Sequence, residues 1–157
     1  MNVYKIAAFS HGTDGGNPAG VVLGAQGVSA DDMQKMAAKI GYSETAFLTE
    51  ISEKSYRVRY FSPESEVPFC GHATIALGAV LAKQKGAGRY DLTLNEAEIQ
   101  VEAVNEDGQF QVALQSPPTQ STPLDDSEIA ATLALFGMGQ DVLHPDIPPA
   151  RIHGGAD

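Results

Sequence analysis

Two short stretches of the 157-residue chain hold residue types that can move protons or hold anions: Cys70-Gly71-His72 and Ser43-Glu44-Thr45. Cys70-Gly71-His72 opens an apolar run that reads as a helix, and the first N–H groups of a helix lack intrahelical partners. Together with the dipole's partial positive charge they make a carboxylate site, and Gly71 lets a ligand approach the backbone closely. The same field favours the thiolate of Cys70. Against this stands a plainer reading, in which Cys70 is a small core residue and His72 the partner of a nearby carboxylate. Glu44 precedes the apolar segment Ala46-Phe47-Leu48. A carboxylate at such an edge is partly desolvated, a condition that suits proton transfer, and the alternative is a solvated strand start. Glu64 and Glu66 read as solvated loop acids. His11, His72, His144 and His153 show no metal-ligand spacing, so no metal site is expected. Gly12, Gly15 and Gly16 match neither the dinucleotide fingerprint nor the P-loop, and no cofactor is expected.

What positions these residues is a set of short elements. Of the ten residues from Ala73 to Ala82, eight are apolar, the others being Thr74 and Gly78. A helix apolar on every side is buried on every side, and this one, expected over 71–83, is too short to cross a membrane. Strands are expected over 3–9, 21–23, 43–48, 56–61, 90–94, 99–104 and 110–115. Tyr56, Val58 and Tyr60 share one face of theirs, and Ile99, Val101 and Ala103 alternate with polar neighbours. Residues 105–108 read as a hairpin loop. A first helix runs to Ile40, with Ser29 as N-cap, Asp31 and Asp32 in its first turn and Gly41 as its stop. The whole predicts an α+β fold: a curled, mostly antiparallel β-sheet or barrel around a central buried helix.

Composition changes near Ser116. Three of the nine prolines lie in residues 1–115 and six in 116–157. Residues 1–115 hold nine basic and fourteen acidic side chains, residues 116–157 one and six, so each part carries −5. The net −10 argues against nucleic acid and anionic membranes as partners. One cysteine excludes an internal disulfide and a Cys-only zinc site. With no signal-peptide pattern and no long apolar run, a cytoplasmic location is expected. The division expected is a first domain over 1–115 and, over 116–157, a linker and the truncated start of a second. A further helix is expected over 126–136, capped by Asp125 or Asp126. Forty-two residues with one helix are too few for a core of their own.

Four motifs in order carry a family resemblance: Gly16-Asn17-Pro18-Ala19-Gly20-Val21-Val22, Ser43-Glu44-Thr45-Ala46-Phe47, Arg59-Tyr60-Phe61-Ser62-Pro63, and Glu66-Val67-Pro68-Phe69-Cys70-Gly71-His72-Ala73-Thr74. Through them the chain resembles the PhzF (phenazine biosynthesis PhzC/PhzF-like) family. The resemblance implies the diaminopimelate-epimerase-like fold, in which two similar domains each wrap a curled sheet around an apolar helix. It also implies cofactor-independent isomerisation by proton transfer on a small acid in the cleft between the domains. Glu44 takes the place of the family's general acid/base and His72 that of the histidine lining the substrate pocket. Gly71 and Ala73 offer backbone N–H groups beside it, and Asn17, Ser43 and Cys70, from the same motifs, complete the expected substrate contacts. In racemase and epimerase cousins a cysteine at this helix start is one of two catalytic thiols. A single cysteine excludes that pair within one chain. Family members are about twice this long, so the second-domain acid and serine have no counterpart here. Either the natural gene is split or truncated, or the sequence is a fragment, or another chain supplies them, through a homo-oligomer or a separate second half. The alternative function is an inactive remnant that binds small acids or a partner. An open apolar face around Cys70, Gly71 and His72 is expected to favour self-association.

Overall fold

The apolar stretch after Cys70 does form a helix enclosed by strands. In the computed structural model, which describes residues 1–12, 14–106 and 109–155, the elements run β1 (Asn2–Ala8), β2 (Asn17–Leu23), α1 (Ala30–Ile40), β3 (Thr45–Ser52), β4 (Ser55–Phe61), β5 (Glu66–Val67) and α2 (Gly71–Lys85). There follow β6 (Gly88–Thr93), β7 (Glu98–Glu106), β8 (Gln109–Gln115), β9 (Gln120–Pro123), α3 (Asp126–Leu135), a 3-10 turn (Gln140–Val142) and β10 (Ala150–His153). The main sheet has the order β1-β2-β3-β4-β6-β7-β8, with β5 paired to β4. Its pairings are antiparallel except β2 with β3 and β4 with β6. Each parallel pair is a crossover through a helix, since antiparallel neighbours need only a turn whereas parallel ones need a long return. α1 makes the first crossover and α2 the second.

The two helices lie in different apolar clusters. Met33 and Ala37 of α1 pack with Val22, Ala25, Phe47 and Phe61. Ala73, Ala76, Leu77, Val80 and Leu81 of α2 pack with Val21, Ala46, Leu48, Tyr56, Val58, Tyr60, Leu92 and Val101. Alternation along β3 and β4 sends successive side chains to the two clusters. The strand face expected for Tyr56, Val58 and Tyr60 is therefore the one that receives α2. Gly78 allows the closest approach, because a Cβ there would stand 2.6 Å from Val112 Cγ1 and 2.8 Å from Val101 Cγ2. The wrapping is not complete. β1 and β8 are the two ends of the sheet, and a cleft between them is lined by Ile6, Ala8, Ile75, Ala79, Phe110 and Val112. Ile75 and Ala79 of α2 are accordingly half-buried.

The expected caps are present. The Ser29 side chain accepts from the Asp32 N–H, and Gly41 takes a left-handed φ of 75°. Asp125, rather than Asp126, caps α3, in a reciprocal box with Glu128. β7 extends through Asn105 and Glu106, where a loop was expected, and Asp107 and Gly108 lie outside the described residues. By contacts the chain falls into two compact units, Met1–Pro117 and Pro118–Gly155. In the second, β9 pairs with β10 and no large apolar side chain is buried. Among the described residues no helix is long and apolar enough to cross a membrane.

Candidate active site

Glu44 comes immediately before β3, and its C=O accepts from the Gly20 N–H at 3.1 Å, which ties it to β2. Gly20 is bare for a reason, since a Cβ would lie 2.6 Å from Thr45 Oγ1. Thr45 points with Phe47 toward α1, so the Glu44 side chain turns the other way, toward the start of α2. There Glu44 Oε2 lies 3.4 Å from His72 Nε2. Ser43 Oγ is also 3.4 Å from Nε2, and Cys70 Sγ is 3.2 Å from Nδ1, the other ring nitrogen. The side chains of His72 and Glu44 keep 13% and 22% of their exposure, which leaves the group covered yet reachable.

The start of α2 is anchored from beneath. Thr74 is fully buried, and its hydroxyl donates to Cys70 C=O at 2.7 Å while its N–H donates to the same oxygen at 3.0 Å. With its proton committed there, Thr74 Oγ1 accepts from the buried Tyr60 hydroxyl at 2.7 Å. Burial also raises the Tyr60 pKa, so the phenol remains a donor. Nothing lies within 4 Å of the position a Gly71 Cβ would take. The chain's own packing does not require glycine there, and the space above the backbone is open.

The field at the helix start does not produce a thiolate. Burial pushes the Cys70 thiol up to about 12, against the opposing effect of the Ala73 and His72 N–H groups, and the Glu44 carboxylate adds to the rise. Desolvation of a charged sulfur outweighs a partial charge of about half a unit. Cys70 is thus a thiol, with the Nδ1 of His72 and the Glu44 carboxylate as the acceptors beside it.

Glu44, Ser43, Cys70 and His72 therefore converge, with Gly71 and Ala73 in the same first turn of α2. Asn17, by contrast, is exposed at the head of β2, opposite Ala8, with no hydrogen bond to them among the described residues. Glu66 departs from expectation. It lies in β5 and binds Arg59 of β4 through two hydrogen bonds, of 2.7 and 2.6 Å, and it accepts from Asn95 Nδ2 at 2.7 Å. The partner sits seven residues away across an antiparallel pairing, which residue spacing alone does not reveal. Among the described residues, six of the eleven large exposed apolar side chains lie at Leu135, Phe136, Met138, Val142, Ile147 and Ile152.

A curled sheet around one apolar helix, with polar groups gathered at the helix start, is the architecture of one half of an epimerase-type fold. A predicted epimerase of Pseudomonas aeruginosa superposes with a TM-score of 0.80 at 20% identity, over 96% of this chain and 55% of that one. A Bacillus anthracis protein of the PhzF family gives 0.69 at 26% identity, over 99% and 54%. The chain belongs to the PhzC–PhzF family of phenazine biosynthesis-like proteins, whose family model matches residues 6–157. It is 36% identical over 151 residues to the uncharacterized isomerase YddE of Escherichia coli K12, an alignment that covers 93% of this chain and 50% of that protein. It thus spans about half the length of the curated relatives it matches along most of its own length.

Proposed function

We propose that this chain is the first half of an isomerase that moves a proton on a small carboxylate-bearing substrate by side-chain acid–base chemistry, without a cofactor. Glu44 is the group that takes and returns the proton. The N–H groups at the start of α2, which have no intrahelical acceptor, hold the substrate's anion with His72 beside them. What supports the reading above all is the 3.4 Å approach of the Glu44 carboxylate to the His72 imidazole at that helix start. Cys70 is the less suitable base, because burial and the neighbouring Glu44 carboxylate hold its thiol well above the ordinary value and so keep it protonated near neutral pH. The second half of the fold, present in relatives of about twice the length, closes the far side of the cleft and supplies the opposing acid. The isomerase name of the Escherichia coli relative agrees with this chemistry.

The test is incorporation of solvent deuterium into a panel of small carboxylic acids, with the chain alone and with the second half of a full-length relative added. Glu44→Gln should abolish incorporation while the circular dichroism spectrum stays unchanged. Persistence of exchange in that variant removes Glu44 as the base. No exchange by the wild type under either condition favours a binding module instead.

A further inference from the structure

Metal-ligand spacing among the histidines gives no site, yet the fold brings Glu44 against Cys70 and His72 of the α2 start, joining three different ligand types. One ligand atom each of Glu44, Cys70 and His72 lies within 4.8 Å of the other two. We propose that these three side chains bind a zinc ion. Zinc bonds of about 2.0 to 2.3 Å in a tetrahedron set ligand atoms about 3.3 to 3.8 Å apart, so closure around an ion takes side-chain movements of about 1 Å. The Cys70–His72 and Glu44–His72 contacts are already at 3.2 and 3.4 Å, though to the two different ring nitrogens, so the imidazole must turn to offer one nitrogen to the ion.

The donor set decides which metal. Thiolate and imidazole favour zinc over magnesium and calcium, which take oxygen ligands. The bound metal itself deprotonates the thiol, releasing that proton to water. Thiolate and carboxylate then supply two negative charges, which outweigh the half-unit of positive charge at the helix start. The chain's net charge of −10 further favours cation entry. Three protein ligands leave a fourth position for water, with the Ser43 hydroxyl alongside, 3.4 Å from Nε2. Zinc held here occupies the Glu44 carboxylate, and on the proton-transfer reading above it inhibits the reaction reversibly.

Titration of the whole chain with Co²⁺ tests the site directly. The expected result is a near-ultraviolet sulfur-to-cobalt charge-transfer band with the visible bands of tetrahedral cobalt, saturating at one ion per chain and erased by Zn²⁺. Cys70→Ser should lose the near-ultraviolet band, and His72→Ala and Glu44→Gln should each weaken binding about tenfold or more. In case a variant does not fold, wild-type alkylation gives a second readout: Zn²⁺, and not Mg²⁺, should slow the reaction of Cys70 with iodoacetamide. Absence of the cobalt bands overturns the site, as does unchanged affinity in both His72→Ala and Glu44→Gln, the mark of a lone thiol. Neither readout depends on turnover, so a failed zinc site leaves the isomerase reading standing, and the reverse holds too.

Discussion

At the scale of single residues, neighbours across the sheet set the electrostatics. The hydrogen bonds from Arg59 hold the Glu66 carboxyl below its ordinary value of 4.5, against the opposing effect of burial, with Asn95 contributing in the same direction. A depressed folded-state value means the pair's contribution is complete above the unfolded value and is lost as pH falls through the folded one. Denaturant unfolding of the wild type and Glu66→Gln from pH 7 to pH 3 should therefore show a stability gap that is constant near neutrality and closes on acidification. A gap unchanged at pH 3 contradicts the pairing. Glu44 and His72 were singled out through the motifs that carry the family resemblance, since spacing alone left each with a plainer alternative, and their approach to 3.4 Å depends on the fold. The Glu66 partner was not, because it depends on strand register. Nor was the protonated state of Cys70: the helix-start field is local and can be read from sequence, whereas the burial that overrides it comes from residues distant along the chain.

At the scale of elements, α2 was the most legible because an apolar surface on every side permits only an enclosed position. The two-residue β5 and the four-residue β9 and β10 were missed, since so few residues show no alternation. The parallel pairings were missed for a related reason: pairing partners far apart in sequence leave no local pattern. What fixes the amino end of α2 to the sheet is the chain of hydrogen bonds from Tyr60 through Thr74 to the Cys70 carbonyl. Thr74→Val keeps the shape but leaves the buried Tyr60 hydroxyl without its acceptor, at a cost of about 1 to 3 kcal/mol. Tyr60→Phe removes the donor and leaves Thr74 still bonded to Cys70, at a cost of about 1 kcal/mol. Equilibrium unfolding should rank Thr74→Val as the more destabilising, and the opposite order contradicts the assigned direction of donation.

At the scale of the whole molecule, Met1–Pro117 holds both apolar clusters and the candidate site, whereas Pro118–Gly155 buries no large apolar side chain. Leu135 and Phe136 are 82% and 70% exposed. We expect these side chains to be covered by a second copy, or by the second half that full-length relatives carry. Each is worth about 1.5 kcal/mol or more on burial, so replacing both by serine should weaken self-association at least about a hundredfold in sedimentation velocity. A wild type that stays monomeric at high concentration contradicts the second-copy form of this expectation. The central claim concerns which group at the mouth of α2 carries the proton, and deuterium incorporation from D₂O into a small carboxylic acid, compared between Glu44→Gln and Cys70→Ser, tests it most directly. The account predicts no incorporation by Glu44→Gln and continued, slower incorporation by Cys70→Ser; exchange by Glu44→Gln with none by Cys70→Ser would contradict it.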